Sequence, residues 1–169
     1  TRAILVTNPG NPTGVVLSPE EMRLMADIAK EHGLFLISDE VYREFVYGGE
    51  PLASMAQFDD AAENVVVVDS ISKRFSACGA RVGILVSRNR ELMAQALKIC
   101  QGRLCAATLD QLGAAALYGV GSDYFSAVRE EYHRRRDTCM EGLSQIPGVV
   151  CECPKGAFYL LSLIHISEP

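Results

Sequence analysis

Four short runs of aliphatic residues recur along the chain, at residues 3–7 (AILVT), 34–38 (LFLIS), 65–68 and 82–86. Each has the length of a strand, and its apolar character is nearly continuous rather than alternating. Strands of that kind are buried on both faces. Helical patterns or long loops separate the runs, which predicts an α/β protein built as three layers, with a sheet covered on both sides. The first intervening helix has explicit start signals. Ser18, Pro19 and Glu21 supply an N-cap, a first-turn proline and the acid of a capping box, and Met22, Met25, Ala26 and Ala29 recur at helical spacing up to Gly33.

From Asn89 onward the pattern turns helical, at residues 91–101, 108–118 and a long polar-faced run over 122–145 that Pro147 and Gly148 stop. Residues 149–152 and 157–161 then read as a strand pair joined by CPKG. A boundary is expected near 119–122, so that residues 1–120 form part of a large domain. Residues 121–169 then form a long linking helix and the start of a smaller α+β domain. The chain opens on a core-type strand and closes just after an apolar run, which suggests a piece of a larger protein. There is no internal repeat and no low-complexity segment.

Composition narrows the function classes. A formal charge of -5 and a pI near 5.2 disfavour nucleic acid, whose binders need a basic face to displace counterions. No apolar run reaches the length of a membrane span and no signal segment precedes the first strand, so a cytoplasmic location is expected. Six cysteines, at 78, 100, 105, 139, 151 and 153, include no CxxC pair and read as reduced thiols rather than a disulfide framework or a metal site. The basic cluster His133 to Arg136 sits beside Glu130, Glu131 and Asp137 and reads as a solvated helix face with local ion pairs.

Chemistry is concentrated in three segments. Residues 70–83, SISKRFSACGARVG, follow a buried strand and carry the hydroxyls of Ser70 and Ser72, with Lys73 and Arg81, among glycines that allow close backbone approach. Upstream lie NPGNPTG and, closing a strand, SDEVY. Taken singly, a lysine after a serine is an ordinary surface charge and an aspartate at a strand end is a turn cap. Together and in this order, including the eight residues from Lys73 to Arg81, they resemble the class I/II aminotransferases of fold type I. The resemblance runs from about residue 1 to residue 159 and takes in GRLCAATLDQ and PKGAFYL.

That resemblance implies pyridoxal phosphate (PLP) as cofactor and a homodimer as the assembly. Lys73 is then the residue that forms the Schiff base and, once displaced by a substrate amine, the base beside the substrate Cα. Asp39 faces the pyridine nitrogen. A carboxylate about 4 Å from a pyridinium gains on the order of 4 kcal/mol at an effective dielectric near 20, which favours the protonated ring as electron sink. Asn11 and Tyr42 match positions that hydrogen-bond the ring hydroxyl oxygen, and the Asn11–Pro12 peptide matches a cis position. Ser70, Ser72 and Arg81 match the phosphate anchors. Arg103 lies in a segment that relatives place near the subunit interface, with an ordinary surface charge as the equal alternative.

The implied reaction moves an amino group from an L-amino acid, aspartate being favoured, to a 2-oxo acid. A β-lyase of the same fold, or a non-catalytic PLP-sensing domain of a transcription regulator, are the alternatives. The Gly-containing loop, the ring-stacking aromatic and the carboxylate-binding arginine of relatives are not in this sequence, so the isolated chain is expected to be inactive. Residues 162–169 (SLIHISEP) depart from the expected continuation, and His165 within them is given no role.

Overall fold

The computed structural model describes residues 1–48 and 52–164. Two compact units make up the chain: one of Thr1–Asn8, Leu17–Val41 and Ala53–Val120, the other of Pro9–Val16, Tyr42–Leu52 and Gly121–Pro169.

The first unit is an α/β layer structure. Strands β1 (Ala3–Thr7), β2 (Phe35–Asp39), β3 (Val65–Ser70) and β4 (Gly83–Ser87) form one sheet in the order β1-β2-β3-β4. The first three run parallel and β4 returns antiparallel to β3. Helix α1 (Pro19–Glu31) crosses between β1 and β2, and its capping box closes as the sequence indicates. Ser18 Oγ accepts the Glu21 amide at 3.2 Å, and Glu21 Oε2 accepts the Ser18 amide at 2.7 Å. Two of the helix's first amides are thereby satisfied without water.

The apolar stripe of α1 explains where the core lies. Met22, Ala26 and Ala29 are buried against Leu36, Val65 and Val67, with Met55 and Ala61 from the segment before β3 completing the cluster. Each large side chain buried this way contributes about 1.5–3 kcal/mol. On the opposite face of the sheet Leu5 and Leu85 are exposed, so within the described residues α1 covers one face only. After β3 come the four-residue helix α2 (Ile71–Arg74), then α3 (Arg90–Arg103) and α4 (Thr108–Leu117) beyond β4. The Asn89 side chain caps α3 by accepting the Leu92 amide at 2.9 Å.

The second unit is organised by α5 (Ser122–Ser144) and a two-stranded sheet of β5 (Val149–Cys151) and β6 (Ser162–Ile164). Here the structure corrects the strand expected over 157–161: β5 pairs with β6, Val150 opposite Leu163. Residues 156 and 157 are instead committed elsewhere. Gly156 bridges to Val46, Ala157 has a φ of 56° and donates its amide to the Phe45 carbonyl, and the Tyr47 hydroxyl donates to the Ala157 carbonyl. Burial pushes the Tyr47 hydroxyl up to about 12. Phe158 then wedges among Tyr42, Phe45 and Tyr132, with ring centres 5.1 to 5.3 Å apart.

The basic cluster on α5 is partly as expected. Arg134 and Arg135 both pair with Glu131 and Arg136 pairs with Asp137, but Arg136 also folds inward, donating Nη1 to the Pro154 carbonyl at 3.1 Å beneath the Tyr47 ring. All six cysteines are free thiols. Among the described residues no helix is long and apolar enough to cross a membrane.

Two predictions follow from this packing. Leu36→Ala should lower unfolding stability by about 2–5 kcal/mol, read from denaturant midpoints, because the fully buried site leaves a cavity. Hydrogen bonds from Arg23 first, then Lys30, hold the Asp60 carboxyl at about 2. A lowered folded value means stability that is present above the ordinary carboxylate range and is lost as pH falls through about 2. Asp60→Asn should therefore flatten the acid limb of a stability–pH curve between about 4 and 2, and an unchanged limb would refute the pairing.

Candidate functional site

Polar residues gather at the carboxyl ends of the two central parallel strands, the edge at which open α/β sheets present their ligands. Asp39 closes β2, in register with Thr7 on one side and Val68 on the other. Its carbonyl accepts the Asn8 amide at 2.9 Å and its Oδ1 accepts the Val41 amide at 3.2 Å. The carboxylate is thus tied by one oxygen in a tight turn, leaving Oδ2 without a hydrogen-bond partner among the described residues.

Glu40, the next residue, has the opposite fate. Pleating turns it to the α1 side, where it is fully buried, and its Oε1 takes hydrogen bonds from Ser38 Oγ at 3.2 Å, Ser54 Oγ at 3.0 Å and the Met55 amide at 2.9 Å. A buried carboxylate is tolerated only when satisfied in this way. Sequence inspection passed over Glu40, although an acid directly after an outward-facing strand-end aspartate has to point inward.

Ser70 is both the last residue of β3 and the N-cap of α2, its Oγ accepting the Ser72 amide at 3.2 Å. Ser72 and the half-buried Lys73 follow within the helix. Arg81 returns to the same place along the backbone: Ser70 pairs with Gly83, and the Ile71 amide donates to the Val82 carbonyl at 3.4 Å. Its φ of 56° is left-handed, unusual for a residue with a side chain, and one guanidinium nitrogen donates to the Cys78 carbonyl at 2.9 Å. Asp39, Ser70, Ser72, Lys73 and Arg81 therefore all belong to the first unit, at or just past one edge of its sheet.

Asn11 and Tyr42 belong to the second unit. Asn11 is exposed, and its peptide bond to Pro12 is cis, as the resemblance implied. The loop around it is closed by Gly10 and Val15, and by Gly14, whose carbonyl accepts the amides of both Lys155 and Gly156 at 2.9 Å. Tyr42 is buried, its ring edge against Phe158 and its hydroxyl hydrogen-bonded to that of Tyr159. Tyr159 was not singled out from the sequence; its place in GAFYL next to Phe158 is the only signal it gives.

The ends of the excursion over 9–16 are anchored by Asn8 in the first unit. Buried Asn8 accepts the Leu17 amide on Oδ1 at 3.0 Å and directs Nδ2 at the Met22 sulfur at 3.6 Å. Arg103 is exposed at the end of α3, and His165 lies outside the described residues. Among the described residues no group of His, Cys, Asp or Glu is arranged to hold a metal ion.

A family model described as aminotransferase class I and II matches residues 1–167. The chain is 37% identical over 163 residues to a probable aspartate/prephenate aminotransferase of Aquifex aeolicus (strain VF5), covering 95% of this chain and 41% of that protein. It is 34% identical over 161 residues to an aspartate aminotransferase of Bacillus subtilis (strain 168), with coverage of 95% and 41%. Among solved structures, the aspartate aminotransferase from Rhizobium meliloti superposes with a TM-score of 0.87 at 28% identity, over 95% of this chain and 41% of that one. The aromatic aminotransferase from Pyrococcus horikoshii OT3 gives 0.86 at 33% identity, over 95% and 43%. The chain thus spans about 41% of the length of the curated relatives it matches.

The Asn11 loop is held by the one glycine that sterics protect most. Gly14 has a φ of 68°, and a Cβ there would lie 2.2 Å from the Pro154 Cβ, whereas a Cβ on Gly48, with a φ of 71°, would meet nothing within 4 Å among the described residues. Gly14→Ala should destabilise far more than Gly48→Ala, which should cost only about 1 kcal/mol. Comparison of the two melting midpoints checks this, and equal losses would refute the packing.

Proposed function

The chain belongs to the class I and II aminotransferase family, with the fold of type I, and from that premise we propose that the protein holds PLP on Lys73 and moves amino groups between amino acids and 2-oxo acids. The observation that carries this is the shared strand edge. A carboxylate closes β2 at Asp39, a hydroxyl closes β3 at Ser70, and a lysine stands three residues beyond Ser70 on the helix that follows.

The donor set fits the group. PLP has a dianion at one end, a basic ring nitrogen at the other and an aldehyde between them. Ser70, Ser72 and Arg81 offer hydroxyl and guanidinium donors for the dianion. Among the described residues Arg81 donates one hydrogen bond, to the Cys78 carbonyl, out of a guanidinium's five N–H groups. Asp39 offers an acceptor for a protonated ring nitrogen through Oδ2, the Val41 amide being satisfied by Oδ1. Lys73 offers the only amine of the strand-edge segment 70–83.

When bound, PLP supplies the carbonyl that takes the amine and the ring that draws electrons from the bond being broken. The residues divide the remaining tasks. Lys73 Nζ is the attachment point and, once released, takes a proton from the substrate Cα and returns one to the neighbouring carbon. Asp39 keeps the ring nitrogen protonated by pairing with its charge. Tyr42 and Asn11 serve as donors to the ring hydroxyl oxygen, and the Tyr159 hydroxyl orients that of Tyr42. Residues 1–120 in this reading are part of the cofactor-binding domain, and residues 121–169 lead into the smaller one.

Similarity to aspartate aminotransferases favours aspartate as amino donor, and 2-oxoglutarate is the proposed companion acid. A cytoplasmic homodimer is the proposed working form, since active sites of the family are shared across a two-fold axis.

Borohydride reduction of the full-length protein with cofactor, followed by peptide mass spectrometry, should place phosphopyridoxyl on Lys73. Label on another lysine, or none, would sink the assignment. Lys73→Ala should lower turnover by about four orders of magnitude at unchanged fold, the scale of losing a positioned base. Addition of L-aspartate should convert the visible absorption of the wild-type protein, and no spectral response to aspartate with a response to another amino acid would redirect the substrate.

A further inference from the structure

Helix α2 is four residues long, far below the length at which propagation outweighs the cost of nucleating a helix. An i to i+4 bond closes its end, from the Phe75 amide to the Ile71 carbonyl at 3.1 Å. Side chains at its two ends must therefore hold it. Asp69, directly before the N-cap, uses both oxygens: Oδ1 accepts the Ser70 amide at 2.7 Å and Oδ2 accepts Arg74 Nη2 at 2.5 Å. The two side chains of this ion pair are only 11% and 10% exposed. The Arg74 guanidinium lies 5.8 Å from the centre of the Tyr118 ring, and the same ring meets Phe75 edge-on at 5.3 Å. An anion at the start and a cation at the end of the turn also complement its dipole.

We propose that the Asp69–Arg74 ion pair, closed over by Tyr118, is a positioning device that fixes the α2 turn and thereby the direction of the Lys73 amine, an inference that rests on Lys73 being the cofactor-bearing residue. Arg74 shares a peptide unit with Lys73. With the guanidinium locked to Asp69, the backbone at Lys73 cannot rotate without separating two nearly buried charges, and removing either partner takes the opposite charge away from the other. Tyr118 adds a ring face to the cation and shields the pair from water. None of these three side chains needs to touch substrate or cofactor; they act through the turn.

The pair also gives α2 a stiffness that its own sequence lacks. Ile71 and Phe75 anchor the buried side of the turn, and the strap from Asp69 to Arg74 spans it from one end to the other. Lys73 lies between these restraints, so its freedom is set by neighbours on both sides.

The test uses the full-length protein as wild type and as Asp69→Asn, Arg74→Gln, Arg74→Lys, the Asp69→Asn/Arg74→Gln double variant, Tyr118→Phe and Tyr118→Leu. Borohydride labelling of the wild type comes first. If Lys73 is not labelled, the cofactor assignment fails and the positioning inference falls with it. With Lys73 labelled, hydrogen exchange in the cofactor-free protein reads the turn itself. Amides of residues 71–76 should exchange about tenfold or more faster in Asp69→Asn and Arg74→Gln, with peptides from α1 unchanged.

The pH midpoint of the absorbance of the loaded protein should shift in the same two variants, a signature that a purely scaffolding pair would not move. The double variant should be no worse than the poorer single one, Arg74→Lys should recover part of the loss, and Tyr118→Leu but not Tyr118→Phe should speed exchange. Lys73 labelled in the wild type, with exchange of 71–76 and the absorbance midpoint unaltered in both single variants, overturns the positioning role and leaves the cofactor assignment standing. Additive losses in the double variant overturn it equally. If Asp69→Asn does not fold, Arg74→Lys and Tyr118→Leu carry the same comparison.

Discussion

In-register parallel pairing of β2 with β3 is the constraint on which the candidate site depends. Asp39 stands opposite Val68, so Ser70 lies two residues further along the neighbouring strand and α2 starts where the sheet gives out. Successive strand residues face opposite sides, so a slip of one residue would drive Asp39 into the layer occupied by Met22, Leu36 and Val67. An unpaired carboxylate in that layer would cost several kcal/mol. The hydrophobic packing under α1 therefore sets the height and direction of the polar groups above it. Glu40 reinforces the register from within, since its three hydrogen bonds exist only if Ser38 and Ser54 keep their places.

Much of this is legible in the sequence. The capping box of α1 reads directly from Ser18 and Glu21 because it is local chemistry, with donor and acceptor three residues apart. The four strands read from apolar runs, although β1 and β4 leave Leu5 and Leu85 exposed among the described residues, and the long polar-faced helix reads from its terminators, Pro147 and Gly148. The residues of the strand edge were found from three motifs and their order, and the structure puts Asp39, Ser70, Ser72, Lys73 and Arg81 along one unit's sheet edge and the loops next to it.

What escaped the sequence depends on contacts between distant residues. Residues 157–161 look like a strand, but Ala157 is held in a left-handed conformation by partners at Phe45 and Tyr47, more than a hundred positions away. The pairing partner of β5 proved to be Ser162–Ile164, inside a stretch whose sequence departs from expectation. Helix α2 is too short to leave a periodic trace, and the bond from Asp69 to Arg74 looks like one more surface ion pair until burial is known. Arg136 teaches the same lesson. It is one letter in a run of basic residues, yet its side chain turns under an aromatic ring while Arg134 and Arg135 stay in solvent.

The side chain of Asn8 has an evolutionary corollary. It ties the point where the chain leaves β1 to the point where α1 is about to begin, so the segment from 9 to 16 hangs from a closed ring and does not have to close it. Substitutions within that segment that keep Gly14 leave the bonds from Asn8 to Leu17 and Met22 intact. A lineage can thus vary the positions of this loop other than Asn11 and Gly14 by small genetic steps without disturbing the bonds that Asn8 makes.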